Sequence, residues 1–386
     1  MNETWWRNPE QLDRDQQAIV SLPLEGSHLV VGPPGSGKTN LLLLRATFLA
    51  RAGLPNIAVI TFNRLLREFL ATGVDNYAFE AERIQTFRSW AVNLLRANGD
   101  DVDTSGAFQD VRERLIGALS DLRAQSGDEL KCDCILLDEA QDYKIEEIEL
   151  VRHFAKDVFA VGDVNQRIYE HDGALRHLAR FCHEAPALKY HYRNGPKICR
   201  LADGIMNIQE GGMFDTCNYD EARYPSSVNR IGQLDLEGQV REAFKMLETQ
   251  LVAYPEEWIG VLAPLRRDVG AIYDLLVRTS IGDRVQLQKY DEGYDALDPN
   301  RPIIVATMHS AKGLEFRAAH LLALDTLPKM DNHQRLTYTA VTRAKTSLSL
   351  YHRGAVPGYI ERGLVAVEGA PVEAPRVADL FGAPRR

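Results

Sequence analysis

The chain has 386 residues, 45% of them hydrophobic and 26% charged, with a formal net charge of −9. This length predicts about two domains with proper cores, and the absence of any apolar run of ~18 residues excludes a membrane-spanning helix. The acidic balance argues against nonspecific coating of nucleic acid but leaves room for a local basic groove. The first twenty residues have no basic segment followed by an apolar one, so we expect neither a signal peptide nor a membrane partner.

The first half of the chain alternates strand and helix patterns. "HLVV" precedes a Gly-rich turn and a helix that stops at Gly53, with Pro55 just beyond. The apolar runs "NIAVITF", "CDCILLDEAQD" and "VFAVGD" are typical of buried parallel strands, and "NRLLREFLA" and "FRSWAVNLLRA" of helices. This order predicts an α/β domain over residues 1–184, with a small insertion at about 90–130.

The alternation begins again after residue 184. "WIGVLAP", "RVQLQKY", "RPIIVATMH", "AAHLLALD" and "TSLSLYH" predict strands, whereas "PLRRDVGAIYDLLVR" and "DNHQRLTYTAVTRAK" predict helices. We therefore expect a second α/β domain over residues 185–352, with a loop at 207–237. Residues 353–386 are expected to form a flexible tail, because the last twenty of them are rich in Pro, Ala and charge; a docking peptide around "ADLF" is the alternative.

The five cysteines are odd in number, and only Cys132 and Cys134 lie close together in sequence. No second pair follows at the spacing of zinc ligands. Structural thiols in a reducing, cytoplasmic compartment are the expected interpretation.

The segment "GPPGSGKT" matches the phosphate-binding loop G-x-x-x-x-G-K-[ST] and lies between a predicted strand and a predicted helix. Its glycines let backbone N–H groups surround phosphate oxygens, and the helix directs its positive end at them. Lys38 is expected to reach the β- and γ-phosphates, and the Thr39 hydroxyl to bind Mg²⁺. The expected ATP-binding residues here are Gly32, Pro33, Pro34, Gly35, Ser36, Gly37, Lys38, Thr39 and Asn40.

Two acids end the strand "ILLD". Asp138 is the expected second Mg²⁺ ligand and Glu139 the group that orients or deprotonates the attacking water, because carboxylates suit both tasks. These two motifs predict binding and hydrolysis of a nucleoside triphosphate. They would look the same in a small-molecule kinase, so the distinction must come from the rest of the chain.

The segments "DEAQD", "VGDVNQRIY", "YHYRN", "TMHSAKGLEF" and "TYTAVTRAK" occur in this order. Together they resemble the superfamily 1A helicases of the UvrD/Rep/PcrA type, over residues 12–350. The resemblance implies two RecA-like parallel-sheet domains with the nucleotide in the cleft between them. It implies that Gln16 contacts the adenine edge, Tyr192 stacks on the adenine and Glu315 accepts from the ribose, with Gly313 allowing close approach. It also implies that Arg193 contacts the γ-phosphate and that Gln141 and Gln166 connect it to the second domain.

The same resemblance implies a catalytic role for Arg343. A guanidinium on the second domain that neutralises charge on the transferred phosphoryl would make hydrolysis depend on closure of the cleft. Such arginines contribute about 10³–10⁵ in rate. The alternative is a helix-terminal arginine that balances the helix dipole.

Nucleic-acid contacts are expected across the tops of both domains, as in the family. The candidates are Thr61, Phe62, Asn63, Thr86, Phe87, Arg88, His171, Thr307 and His309. Aromatic and small polar side chains suit sequence-tolerant binding of single strands. Taken one at a time, each Phe could equally be a core residue.

Three departures from the family pattern matter. In "QRIYEHDGA", His171 stands where the family usually has a stacking tryptophan, and Asp172 where it has an arginine. Arg88 replaces a usual histidine and adds a positive charge. The chain is also too short for the large accessory subdomains, which predicts a reduced motor.

We therefore expect an ATP- and Mg²⁺-dependent translocase or helicase on single-stranded DNA. A nucleotide-gated subunit that signals to a partner nuclease or other effector is the alternative.

Overall fold

The computed structural model describes residues 10 and 12–368, except 62–78, 164–172, 289–296 and 328–330. The described chain forms two six-stranded sheets, and every strand pair in both is parallel. Helices cover both faces of each sheet, which confirms the expected fold of two RecA-like α/β domains. The two domains are described in turn.

The N-terminal sheet has the strand order β3-β2-β4-β5-β1-β6. Its strands are β1 (His28–Val31), β2 (Ile57–Thr61), β3 (Ile84–Thr86), β4 (Cys132–Leu137), β5 (Ala155–Gly162) and β6 (His183–Glu184). The helices with them are α1 (Arg14–Val20), α2 (Lys38–Arg51), α3 (Phe87–Ala97), α4 (Phe108–Gln125), α5 (Ile145–His153) and α6 (Ala174–Leu178). From β1, which lies on one side of β5, the chain continues to β2, which lies on the other side of β5. In parallel sheets of this kind, ligands bind at the carboxyl ends of the strands where the strand order reverses in this way.

The C-terminal sheet has the order β7-β12-β11-β8-β10-β9. Its strands are β7 (Ser227–Ile231), β8 (Ile259–Ala263), β9 (Val285–Leu287), β10 (Ile303–Thr307), β11 (Phe316–Leu321) and β12 (Ala344–Tyr351). The helices are α7 (Pro196–Met206), α8 (Leu236–Ala253), α9 (Arg266–Leu276), α10 (Asp331–Val341) and α11 (Gly358–Glu368).

Burial on both faces explains why the central strands are continuously apolar. In β4, Ile135 and Leu137 belong to one hydrophobic core, whereas Cys134 and Leu136 belong to the core on the opposite face. Successive side chains of a strand point to opposite faces, so both kinds of position must be apolar. The same division separates the alternate residues of β10.

Two expectations about irregular segments are wrong. Residues 207–237 were expected to be loop, but β7 lies within them and pairs with β12 at the sheet edge. Residues 353–368 were expected to belong to a flexible tail, but α11 buries Ile360 and Leu364 in the same core as α7. A Cβ added to Gly204 of α7 would lie 2.7 Å from the Cα of Gly363 in α11, so these two helices approach at glycine.

The expected insertion at about 90–130 does not form a separate domain. It holds α4 and the end of α3, and Leu95, Leu115 and Leu119 are buried in the same core as β4. Within the described residues, no helix has the length and apolar character required to cross a bilayer.

Candidate nucleotide site

The phosphate-binding loop follows β1 and ends where α2 begins at Lys38. Gly35 and Gly37 have φ of 76° and 83°, a conformation that favours glycine. A Cβ at Gly35 would also lie 2.6 Å from the Cβ of Arg193, so this glycine lets the second domain approach the loop. The sequence folds into a loop whose turns depend on these glycines, as expected.

Lys38 closes the loop in this structure. Its ammonium donates to the carbonyl oxygens of Gly32 and Pro33, each at 2.8 Å. Burial lowers the pKa of Lys38 from its ordinary value, although Asp163 and Glu139 oppose the shift. These carbonyl bonds hold the lysine over the loop, from which it can exchange them for phosphate oxygens.

Some residues of the loop support its shape, and not all of them face the space for a ligand. This group comprises Ser36, Asn40, Pro33 and Pro34. The Ser36 hydroxyl donates to Pro33 O at 2.9 Å, and Ser36 and Asn40 are both buried. A Cβ on Gly32 would lie 2.8 Å from that of Leu188, so Gly32 is needed for packing. Of this group, Pro34 and Asn40 line the cavity described below.

Asp138 and Thr39 form a pair of hard oxygen ligands. The Thr39 hydroxyl donates to Asp138 Oδ1 at 3.3 Å, and Asp138 is 2% exposed. Its Oδ2 is buried without a hydrogen-bond partner among the described residues. Burial, together with the adjacent Glu139, raises the pKa of Asp138 to about 7. An orphaned carboxylate oxygen beside a hydroxyl fits Mg²⁺, which prefers such ligands.

Glu139 lies at a sharp turn after β4. Its φ of 50° is in the left-handed region, which is uncommon for a residue with a side chain. Its Oε2 accepts from Gln141 Nε2 at 2.5 Å and lies 3.9 Å from Lys312 Nζ. Burial alone would raise the pKa of Glu139, but Lys312, Arg343 and Lys38 hold it below its ordinary value. The group is therefore an ionised carboxylate.

Gln141 joins Glu139 to the end of β5. Besides its bond to Glu139, its Oε1 accepts from the backbone N–H of Asp163 at 3.0 Å. Asp163 immediately precedes the segment that contains Gln166, which lies outside the described residues. The amide does not line the cavity but contacts a residue that does, so its position suits a connecting role.

Gln16 and Tyr192 lie together at one end of the site. Gln16 is buried; its Nε2 donates to Ser36 O at 3.0 Å, and its Oε1 accepts from Asp13 N at 3.2 Å as part of the α1 cap. The Tyr192 hydroxyl donates to Asp13, and its backbone N–H donates to Gly35 O at 3.1 Å. Asp13 thus ties the expected adenine-contacting glutamine to the expected stacking tyrosine.

Arg193, Glu315 and Lys345 form a buried ion cluster on the C-terminal side. Arg193 Nη2 lies 2.6 Å from Glu315 Oε1, and Lys345 Nζ lies 3.4 Å from Glu315 Oε2. Burial would raise the pKa of Glu315, but Arg193, Lys345 and Arg343 hold it below its ordinary value. In this arrangement Glu315 holds two cations at the cavity wall.

Arg343 faces the cleft from the turn between α10 and β12. It is 3% exposed, and its guanidinium donates to Thr339 O at 3.1 Å and to Leu314 O at 3.4 Å. Burial and the nearby Arg193 lower its pKa to about 10, while Glu139 acts in the opposite direction. Arg343 and Glu139 belong to different domains, and each shifts the pKa of the other. The two domains therefore bring opposite charges close together.

A cavity of about 490 Å³ lies where these residues meet. Among the expected site residues, the ones lining it are Gln16, Pro34, Gly35, Gly37, Lys38, Thr39, Asn40, Asp138, Glu139, Tyr192, Arg193, Gly313, Glu315 and Arg343. Gly313 contributes with φ of 89°. The cavity is not lined by Gly32, Pro33, Ser36 or Gln141.

Several lining or supporting residues were missed from the sequence. Lys345 lies in the quoted segment "TRAK", and Lys312 and Asp142 lie in "AKGLEF" and "DEAQD", so their motifs were found but not these positions. Lys312 donates to Asp142 across the two domains. Asn218, Tyr219, Asp220, Arg223 and Tyr224 also line the cavity and come from the expected loop at 207–237, where no motif identifies them.

The expected nucleic-acid residues are placed unevenly. Thr61 and Phe87 are buried, and Phe87 packs against Trp90 and Tyr143, so in this structure neither is exposed for contact with a strand. Phe87 was ambiguous in sequence because an aromatic at a helix start serves equally well in a core. Phe62, Asn63 and His171 lie outside the described residues.

The other four are partly accessible. Thr86 caps α3 through Ser89, and Thr307 bonds to Ser310. Arg88 is exposed, with Nη2 donating to Thr104 O at 2.8 Å, and His309 is half-buried, which lowers its pKa. Of these, Arg88 is the charged side chain best placed to meet a phosphate backbone.

The fold and the site together define a nucleotide-binding protein with two RecA-like domains. The AAA domain family matches residues 15–172, and the UvrD-like helicase C-terminal domain family matches residues 302–351. These two matches support a UvrD-like superfamily 1 helicase. No curated protein matches it.

Two of the solved structures that match this chain have low similarity to it. One is the C-terminal domain of a possible DNA helicase from Lactobacillus plantarum WCFS1, 20% identical, with a TM-score of 0.34 over 46% of this chain and 96% of that one. The other is the PRRSV helicase, 13% identical, with a TM-score of 0.42 over 87% of this chain and 54% of that one.

Proposed function

We propose that this protein hydrolyses ATP in the cleft between its domains and uses the cycle of closure and opening to move along single-stranded DNA. The two family matches support a helicase-type ATPase in general. One observation supports the finer proposal. Lys38 and Glu139 from the N-terminal domain and Arg193 and Arg343 from the C-terminal domain all line one cavity.

In the proposed reaction, the loop N–H groups and Lys38 bind the triphosphate, and Arg193 and Arg343 neutralise the charge that spreads over the γ-phosphoryl oxygens. Glu139, held ionised by its cationic neighbours, accepts the proton of the attacking water. Thr39 and Asp138 would hold Mg²⁺, which when bound offsets the charge of the β- and γ-phosphates. Gln141 keeps the Glu139 carboxylate in place.

Coupling to motion follows from which domain supplies each group. The proposed base and the loop belong to the N-terminal domain and both arginines to the C-terminal domain, so hydrolysis requires the closed arrangement. Product release then removes the phosphate charges that Arg193 and Arg343 would contact across the cleft. Translocation would follow if the two domains grip a strand alternately during this cycle.

The first experiment measures ATP turnover with and without oligo-dT at low salt, because phosphate contacts weaken steeply with ions. We expect oligo-dT to raise turnover severalfold, and a rise of less than about twofold would contradict the motor. Arg88→Ala should weaken the response and flatten its salt dependence. Arg96→Ala, an exposed arginine on the same helix, is the matched control. Displacement of streptavidin from either end of an oligonucleotide then tests translocation and its direction.

A second function has its own support. Thr61 and Phe87 are buried, the net charge is −9, and Asp172 stands at a position that is usually basic in the family, all of which reduce the expected grip on DNA. The chain would then be a nucleotide-gated subunit whose closure is read by a partner nuclease or other effector. Capture of such a partner that depends on ATP and on Lys38, and not on DNA, would favour this function.

A further inference from the structure

Three potential metal ligands meet in the C-terminal domain, behind the nucleotide site. His191 and Cys199 are fully buried, and Cys217 is half-buried. The ligand atoms of the three side chains all lie within 4.8 Å of one another. None of them lines the cavity, and the proposed ATPase chemistry uses none of them.

The geometry of this Cys₂His cluster suits tetrahedral coordination. Cys199 Sγ lies 3.6 Å from His191 Nε2. Zinc–sulfur and zinc–nitrogen bonds of about 2.3 and 2.0–2.1 Å at a tetrahedral angle separate the two ligand atoms by about 3.6 Å. Both sulfurs also contact Asn194 O, at 3.3 Å from Cys199 and 3.4 Å from Cys217. The two thiols therefore converge on one small volume instead of packing apart.

Backbone hydrogen bonds fix the three positions independently of any metal. His191 and Cys217 form a parallel bridge, with His191 N donating to Thr216 O at 3.1 Å and Asn218 N donating to His191 O at 2.9 Å. Cys199 lies in the first turn of α7, where its N–H donates to Gly195 O at 3.0 Å. The cluster therefore combines a pair of extended segments with a helix start, and its ligands are widely spaced in sequence.

We propose that His191 Nε2, Cys199 Sγ and Cys217 Sγ bind one zinc ion. Two thiolates and one imidazole are a donor set that zinc favours over Mg²⁺ or Ca²⁺. The carbonyl oxygens of Asn194 and Met213 already contact these ligand atoms, and one of them or a water completes four-coordination. The inference does not depend on the proposed function.

Loading requires a defined exchange of protons. His191 Nε2 lies 2.6 Å from Met213 O and donates its proton to that carbonyl, so binding zinc through Nε2 requires the loss of this hydrogen bond and transfer of the ring proton to Nδ1. Burial lowers the pKa of His191 to about 4, so the ring is neutral at physiological pH. Both thiols release a proton to solvent as they bind.

Zinc here would stabilise the segment that carries two nucleotide-site residues. Tyr192 and Arg193 follow His191 directly, and Asn194 Nδ2 donates to the carbonyls of Thr342 and Ala344, on either side of Arg343. Removing the metal should therefore loosen nucleotide binding as well as lower the melting temperature. This gives the site a second measurable consequence.

The test is the zinc content of reduced full-length protein after gel filtration, measured by plasma mass spectrometry. We expect roughly one zinc ion per chain in the wild type and in Cys182→Ser, a buried thiol of the other domain. The double variant C199S/C217S and the variant H191Q should fall to background. Equal zinc in the double variant and the wild type, or loss of zinc in Cys182→Ser, would overturn the proposal.

A second measurement needs no variant and so avoids misfolding. Co²⁺ added to reduced, metal-free wild type should give the near-ultraviolet absorption of thiolate–cobalt bonds, and Zn²⁺ should abolish it. A spectrum without these bands would overturn the proposal. So would freshly isolated, metal-free protein in which Cys199 and Cys217 are joined by a disulfide.

Discussion

Lys312 of the C-terminal domain donates to the carboxylate of Asp142 of the N-terminal domain, forming an ion pair that bridges the cleft. Asp142 is completely buried and Lys312 is 6% exposed. Burial raises the pKa of Asp142 to about 6 in spite of the lysine. The pair also places Lys312 Nζ 3.9 Å from Glu139 Oε2, so the ion pair between the domains lies beside the proposed catalytic base.

Breaking this pair from one side should be costly. Asp142→Asn leaves Lys312 with the more distant Glu139 as an opposite charge, and Lys312→Met leaves the buried Asp142 carboxylate without its lysine. The loss of one partner of a buried ion pair costs about 3–5 kcal/mol. We expect a lower melting temperature and slower ATP turnover in each single variant. The double variant should lose less than the sum of the two, because neither charge then remains. Simple additivity in a double-mutant cycle would show that the residues do not act as a pair.

Replacing the base should separate binding from turnover. Glu139→Gln keeps the hydrogen bond to Gln141 but cannot accept a proton, so we expect ATP affinity close to wild type and turnover lower by about 10²–10⁴. Binding of a fluorescent ATP analogue and steady-state hydrolysis measure the two effects. Glu146→Gln, an exposed glutamate nine residues after the end of β4, is the control and should change neither. Wild-type turnover in Glu139→Gln would remove this residue from the reaction.

Arg343 should matter for the transition state more than for the ground state. Arg343→Ala is expected to lower turnover by about 10³ or more with a modest change in ATP affinity. Arg343→Lys should recover little, because an ammonium cannot reproduce the planar fork of a guanidinium. Arg335→Ala, an exposed arginine on α10, controls for loss of charge near the helix. An effect confined to KM would instead indicate a simple binding residue.

The sequence predicted the parts of the fold that follow from periodicity and motif. Apolar strands, the phosphate loop and the two acids after β4 are local signals, because a buried strand must be apolar on both faces and a phosphate loop needs its glycines. β7 was missed because it is a short, half-buried edge strand with polar residues. α11 was missed because its apolar residues lie close to a Pro-rich tail.

The site was harder to complete than the fold. Lys312 and Asp142 sit within recognised motifs, but only the packing of the two domains shows that they meet. Cys199 and Cys217 are eighteen residues apart on a helix and an extended segment, so spacing rules written for compact zinc motifs exclude them. For Phe87 the error was the opposite one: the sequence motif suggested a site residue where the structure has a core residue. Its aromatic ring packs against Trp90 and Tyr143.

Asp138 predicts a dependence of stability on pH. Its pKa is about 7 in the folded protein, raised by burial and by Glu139, and about 3.9 when unfolded. The folded state therefore binds a proton that the unfolded state has lost between about pH 4 and 7. The stabilisation from that proton is full below pH 4 and falls as pH rises to about 7, by up to about 1.4 kcal/mol per unit.

Asp138→Asn removes this titration while keeping the shape of the side chain. In metal-free buffer, the stability of the wild type relative to the variant should fall between pH 5 and 7 and then level off, as measured by urea unfolding. Parallel profiles for the two proteins would show that Asp138 does not titrate in this range. Adding Mg²⁺ should restore wild-type stability at pH 7 and above but not at pH 5, because only the ionised carboxylate binds a cation and protons compete for it. Asp138→Asn should gain little from Mg²⁺ at any pH, which identifies this carboxylate as the metal ligand.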